Sequence, residues 1–539
     1  MNGSVRSRGK KSTSVLRNSG DSPRSRRLNA AAETALVPLL LALLATAAAA
    51  WVFRHGYVLY WGDAQAHLNA SRSLIDSRTP GYDQVGTPWL PLLHVICLPF
   101  VTNDWLWSTG LAGTIPVACC FVIAGTFFYW AARDAYGNSL SAIVVLACFA
   151  LNPNVLYLAS IPMTEIVFLA GLSVLLFSML RFRATGRTQF LLLGTAASWS
   201  MSLTRFDGWF LIPFAALGFA LFAGRRRWPV LIGLGLAASL APLYWLAHSW
   251  WQSSNPLDFY NGPYSAAAIQ GTASYPGLHN WPLAFRYYAE AGRLVAGWAL
   301  VILGAIGVLC AALRKTAFPI LFLLLPPAFL VWSLHSSKVP IFVPTLWPHS
   351  YYNTRYGIPV TVVAAFAIGA IVPILPAKSR RLGLLLPVVC VAFWVWHASP
   401  ENWVCWKESQ VNSVSRRAWT HAAANFLRAH YHAGQGILEG DGDIPGIFCN
   451  AGIPFRETLN IGNGPAWLAA TSRPDLIHRE LWAIAQSGDF VSKALQRGRP
   501  PVYRIVKIIQ VKGAPDLEIY RRDDFAAILR DKAESPSRQ

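Results

Sequence analysis

Charged residues are scarce in this chain. Asp, Glu, Lys and Arg make up 13% of its 539 residues, against about a quarter in an average soluble domain. That scarcity excludes an ordinary soluble protein of this length. Acidic residues are the rarer kind, 26 against 46 basic, for a net charge of +20. The strict polar/apolar alternation of a membrane β-barrel is absent. So is any Cys/His spacing of a metal site, which leaves no certain cofactor and divalent-metal dependence open. Gly462-Asn463-Gly464 is too short for a phosphate loop, and no internal repeat is present. Of the eight cysteines, Cys97, Cys119, Cys120, Cys148, Cys310 and Cys390 fall in or beside apolar segments, where free cysteine acts as a small hydrophobe. Cys405 and Cys449 share the C-terminal part and could pair, a matter of geometry that spacing does not supply.

What the chain has in abundance is apolar runs, 54% of residues being hydrophobic. The runs are long enough to cross a hydrocarbon core of roughly 30 Å as helices. The sequence reads as an all-α polytopic membrane protein with eleven spans, at 36–53, 105–130, 139–158, 163–180, 189–204, 208–223, 229–247, 294–313, 317–334, 356–375 and 383–398. Trp89–Phe100 is apolar but short and proline-rich, so a re-entrant or interfacial piece is expected there. Residues 1–34, rich in Ser, Arg and Gly, read as a disordered basic cytoplasmic tail, 35–399 as the membrane domain, and 400–539 as a small extracytoplasmic α/β domain. In the last, a helix over about 413–431, a strand at Gly436–Gly440, a helix within Trp467–Gln486 and a hairpin of Tyr503–Val511 with Leu517–Arg521 are expected.

Basic residues recur in every second loop: Arg133, then Arg181, Arg183 and Arg187, then Arg225–Arg227, then Arg314 and Lys315, then Lys378, Arg380 and Arg381. The positive-inside rule places these loops and the N-terminus in the cytoplasm, and everything after 398 outside. This distribution accounts for the basic balance through topology and anionic lipid, so no nucleic-acid partner is implied. The first apolar run lies too far from the N-terminus for a cleaved signal and reads as an uncleaved span.

Nine carboxylates lie between 34 and 399, and this topology puts eight of them at or near the outer face. Ionisable groups at membrane depth are functional candidates. Asp63, in Tyr60-Trp61-Gly62-Asp63-Ala64-Gln65-Ala66-His67, directly follows the first span. It is either a helix cap or solvated acid, or else a general base or hydroxyl ligand. His67 lies one turn on if 64–75 is helical, as a structural hydrogen bonder or a substrate ligand. Glu165, in Pro162-Met163-Thr164-Glu165, is a first-turn acid favoured by the helix dipole or a catalytic group. Arg205 and Asp207, in Thr204-Arg205-Phe206-Asp207-Gly208-Trp209, pair with each other or line a cavity mouth. Arg355, in Tyr351-Tyr352-Asn353-Thr354-Arg355-Tyr356, has the fork that matches phosphate oxygens, or else anchors the interface. Lys338, His349, His279 and Arg286 are weaker candidates, and Trp61, Trp89 and Trp281 could stack on sugar rings.

In their order and sidedness these segments resemble the GT-C superfamily of membrane glycosyltransferases, nearest to bacterial relatives of the protein O-mannosyltransferases and of the aminoarabinose transferases that modify lipid A. The resemblance covers about 35–399. The family's paired acids in the first loop are not present, since Ala64 and Gln65 follow Asp63. It implies a multi-pass protein of the bacterial plasma membrane. This would move a sugar, with inversion, from a polyprenyl-phosphate donor to an extracytoplasmic lipid, polysaccharide or protein. Asp63 and Glu165 would be catalytic, and His67, Arg205, Asp207, Asn353, Arg355 and Tyr356 would bind substrate. Two rivals share the composition: a lipid or sugar transporter or flippase, and a catalytically inactive GT-C-like envelope protein.

Overall fold

The computed structural model describes residues 23–440, 442–474, 480–497 and 502–522. The expected disorder of the N-terminal tail bears mostly on residues outside this range. Its last part corrects the reading, because the first helix spans Pro23–Arg54 and so takes in residues 23–34.

Every expected span has a helical counterpart, but the count of eleven is not observed. Among the described residues, six helices are long and apolar enough to cross a membrane. A seventh is gained if Trp281–Ala296 and Trp298–Leu313, bent by 109°, count as one. The other apolar runs are divided or short. Asn152-Pro153 splits the run 139–158 into Ser139–Ala150 and Pro153–Leu158, with the Asn152 side chain capping the second piece. Gln189–Ser202 and Asp207–Phe222 hold 14 and 16 residues, about 21–24 Å at 1.5 Å per residue, less than a hydrocarbon core. Hydropathy reads composition, while breaks are set by capping side chains and prolines. Leu92–Val101 is a short apolar helix with Pro99 inside, as expected of a piece that does not span.

The C-terminal part holds a long helix, Val404–His430, which begins nine residues before the expected start. Five strands, β1 (Ile437–Glu439), β2 (Thr458–Leu459), β3 (Trp482–Gln486), β4 (Tyr503–Ile509) and β5 (Leu517–Arg522), form one sheet in the order β2-β1-β3-β5-β4. The first three are parallel, and β5 runs antiparallel to β3 and β4. The expected hairpin is β4–β5. The run Trp467–Gln486 is helical only at its start (Pro465–Ser472) and ends as β3, whose Ile and Trp side chains are buried in the sheet.

This part is fastened to the first loop. Val404, Trp406, Trp419 and Leu427 share one apolar cluster with Val58, Trp61 and Leu68. Arg416 donates to Gln65 Oε1 at 2.6 Å and to the carbonyls of Leu59 and Tyr60 at 3.1 and 2.7 Å. Arg456 pairs with Asp76 at 3.0 Å, and Arg78 with Glu480. Cys405 and Cys449 are both buried and free.

Candidate active site

Three acids sit in the first turns of three helices. Asp63 opens Gly62–Ser73, Glu165 opens Thr164–Thr185, and Asp207 opens Asp207–Phe222. An acid there is favoured by the helix dipole. The N-cap position of the first helix is Trp61 and not Asp63, so Asp63 is not spent as a cap. All three acids converge on two arginines. Arg355 donates through Nη2 to Asp63 Oδ2 at 2.6 Å and through Nε to Glu165 Oε1 at 3.0 Å. Arg205 reaches the same Glu165 oxygen at 3.1 Å and Asp207 Oδ2 at 3.4 Å. The Tyr356 ring packs on both guanidiniums, 5.3 Å from that of Arg355 and 5.0 Å from that of Arg205. Trp61 also packs on Arg355, at 4.4 Å.

Accessibility separates the acids. The side chains of Glu165 and Asp207 are each 5% exposed, that of Asp63 42%. Glu165, expected to be catalytic, spends Oε1 on both guanidiniums, and among the described residues no donor reaches its Oε2. Asp63 is the acid that a substrate can approach.

The backbone holding Arg355 is itself held. Asn353 takes a left-handed conformation (φ 54°), and Gly357 packs so tightly on Trp281–Ala296 that a Cβ there would lie 2.6 Å from the Ala291 carbonyl oxygen. Glu408, from Val404–His430, accepts the Asn353 and Thr354 N–H groups at 2.6 and 2.7 Å, and also the Thr354 hydroxyl. Burial pushes the Glu408 carboxyl up to about 7, against the lowering by Arg355 and by these donors. Asn353, expected to bind substrate, lines the cavity described below, while its side-chain amide donates to the Pro340 carbonyl. Sequence reasoning missed Glu408. An acid in a helical run of a separate segment carries no local mark of its contact across the fold.

His67 lies on the same helix face as Asp63. It is bonded to His94 at 2.9 Å and packs on Trp89 with ring centroids 4.4 Å apart. Burial, with Arg355 adding, pushes it down to about 3, so it is neutral at ordinary pH. Trp281 instead stacks on His335 at 4.0 Å and is not part of the cavity wall.

A cavity of about 630 Å³ opens on this array. Its polar end carries Asp63, His67, Arg205, Asp207, Asn353, Arg355, Tyr356 and Lys338. The rest of the lining is mostly apolar, with Trp209, Phe210, Phe329, Leu330 and Trp332 from two helices and Ile269 from the segment after Asp258, interrupted by Thr164, Thr204, Gln270, Ser333 and Ser337. Among the described residues no group of three or more His, Cys, Asp or Glu side chains is placed to hold a metal ion. The arrangement can clamp an anion beside an exposed carboxylate and take an apolar chain behind it.

No protein-family model matches the chain, and no curated protein sequence does. Solved structures do. ArnT from Cupriavidus metallidurans bound to undecaprenyl phosphate superposes with a TM-score of 0.54 at 14% sequence identity, covering 89% of this chain and 97% of that one. The apo form of the same protein gives a TM-score of 0.50 at 14% identity over 88% and 98%. The chain therefore has the fold of ArnT.

Proposed function

We propose that the protein is a glycosyltransferase that takes a sugar from a polyprenyl-phosphate donor and passes it, with inversion, to a hydroxyl of an extracytoplasmic acceptor. The observation that carries this reading is the Arg355–Arg205 pair at the polar end of an apolar-walled cavity, next to one exposed carboxylate. The neighbour of the same fold was crystallised with undecaprenyl phosphate, which supports a lipid phosphate as the anion.

The apolar wall takes the first isoprene units, and the guanidinium of Arg355 takes the phosphate. Arg355 is bonded to Asp63 in this state, so an arriving phosphate competes for it and releases the Asp63 carboxylate toward the acceptor. Asp63 then takes the proton as the acceptor oxygen attacks the anomeric carbon. The bond from that carbon to the phosphate oxygen breaks, and its electron pair leaves on the lipid phosphate. Arg355 and Arg205, preorganised by Glu165, Asp207 and Tyr356, stabilise the charge that develops there. On this reading Glu165 is a positioning residue, and the catalytic acid of the sequence reading reduces to Asp63. The site faces the outside, where nucleotide sugars are not available and a lipid-linked donor is needed.

The test is the lipid that accompanies the protein. Mass spectrometry of the purified full chain should find a polyprenyl phosphate or its monosaccharide ester, depleted in Arg355→Ala. Phospholipid alone in both preparations would refute the reading.

A further inference from the structure

The helix Gly62–Ser73 places Asp63 and His67 one turn apart, and both line the large cavity. The His67 side chain is buried, with 5% of the residue exposed, yet it is not sealed. Its Nδ1 is bonded to His94 Nε2 at 2.9 Å. Its Nε2 meets no partner among the described residues and is not enclosed by them, so it opens on the cavity. A polar atom left open on a side chain that burial holds still asks for a partner from outside the chain.

His94, in the first turn of Leu92–Val101, is fully buried, and among the described residues its Nδ1 has no partner. A buried polar atom without a partner costs about 1–3 kcal/mol, which an apolar side chain at this position would avoid. The histidine pair is therefore not there for stability. What it does is fix the ring of His67. Burial pushes both rings down, and no carboxylate is bonded to either, so the pair stays neutral. A neutral imidazole has one N–H and one bare nitrogen, and a single proton lies between the two rings.

Trp89 completes the corner. Its segment is pinned on both sides, by His248 Nε2 donating to the Gly86 carbonyl at 3.0 Å and by the Leu92 N–H donating to the Leu203 carbonyl at 2.9 Å. The indole packs on His67 with centroids 4.4 Å apart, is 37% exposed and lines the cavity. With Pro88 and Leu90 beside it, this stretch of lining carries no charge. An anion is better held at Arg355 and Arg205. A hydroxyl suits the corner, because it both donates and accepts and so matches His67 Nε2 in either tautomer. The indole face is apolar and fits the C–H groups of a sugar ring. In the donor the sugar is bonded directly to the phosphate. With the phosphate on Arg355, which is bonded to Asp63, the sugar comes to lie one helical turn from His67.

We propose that the His67–Trp89 corner seats the sugar being transferred: Trp89 covers one of its C–H faces, His67 Nε2 hydrogen-bonds one of its hydroxyls, and His94 is a positioning residue that holds the His67 ring. The inference rests on the donor phosphate binding at Arg355. The corner makes and breaks no bond. It orients the anomeric carbon for the attack that Asp63 assists.

The test is the affinity of the full chain, by native mass spectrometry in detergent, for undecaprenyl phosphate and for its mannosyl, glucosyl and arabinosyl esters. At least one ester should bind. His67→Phe keeps a ring and removes the nitrogens. It should weaken that ester about three- to tenfold, the worth of one hydrogen bond between neutral groups, and leave undecaprenyl phosphate affinity unaltered. Trp89→Ala should also weaken the ester more than the bare lipid phosphate. His94→Phe should act in the same direction, and His94→Gln, whose amide can still bond His67 Nδ1, should restore most of the loss. A merely structural pair would change ester and bare lipid phosphate alike. Affinity for the bare lipid phosphate shows that the variants are folded; should His94→Phe fail there, His67→Phe carries the test. The proposal is overturned if no ester binds, if His67→Phe or Trp89→Ala leaves every bound ester unchanged, or if His67→Phe weakens the bare lipid phosphate as much as the ester. The positioning role is overturned if His94→Gln is no better than His94→Phe. Failure of the donor reading looks different: undecaprenyl phosphate affinity would then be indifferent to Arg355→Ala, whatever the esters do.

Discussion

Asp63 and Glu165 contact the same arginine, yet their burial predicts opposite phenotypes. Asp63→Asn removes a half-exposed base and leaves the guanidinium free for phosphate. Sugar transfer should drop by about 10² to 10⁴, while undecaprenyl phosphate affinity holds or rises and thermal stability shifts little. Glu165→Ala takes one of two acid partners from each of two buried guanidiniums, and breaking a buried pair costs up to about 3–5 kcal/mol, which thermal unfolding in detergent will register. Equal stability losses in the two variants would remove the distinction between base and positioning residue. The residue types were legible in the sequence, because acids and arginines at the ends of apolar runs are rare enough to stand out. Their division of labour was not, since accessibility depends on what packs over each carboxylate.

At the scale of elements, the Asn353–Gly357 turn is the piece on which Arg355 depends. Gly357→Ala would place a methyl group 2.6 Å from a backbone oxygen. Overpacking of this kind costs about 1–3 kcal/mol, and donor affinity should fall with stability because the turn must lift off Trp281–Ala296. Glu408 beneath the turn predicts a pH dependence. Its carboxyl rises from an ordinary 4.5 to about 7 on folding, so between those values the folded chain holds a proton that the unfolded chain has released. Stability therefore falls as pH rises through that window and levels off above it. Glu408→Gln should remove that part of the slope in thermal unfolding measured from pH 4.5 to 8, and an unchanged slope would show that Glu408 is not its source. Elements were legible wherever composition decides them, as in the apolar helices and the β4–β5 hairpin. They were misread where a cap or proline decides them, as at Asn152-Pro153, and where burial in a sheet overrides local pattern, as at β3.

Across the whole molecule, the C-terminal part completes the site that the membrane part begins. Glu408 fixes the Arg355 turn, Arg416 fixes the loop before Asp63, and Asp443 stands at the end of its helix. None of these contacts had a signature in the sequence, because each joins residues far apart in the chain, from about 55 positions for Glu408 to more than 350 for Arg416. The sidedness of the charges in the sequence predicts an orientation that can be checked: cysteines introduced at 265 and 450 should react with an impermeant maleimide from outside the cell, and one at 226 should not. The claim that holds the account together is that Arg355 receives a lipid phosphate now facing Asp63. The most direct measurement is the affinity of the full chain for undecaprenyl phosphate in three forms. Arg355→Ala should weaken it at least tenfold, with partial recovery in Arg355→Lys, since a point charge lacks the bidentate fork. Asp63→Asn should leave it equal to the native chain or tighter. Equal affinity in the native chain and Arg355→Ala, or a loss in Asp63→Asn as deep as in Arg355→Ala, would contradict it.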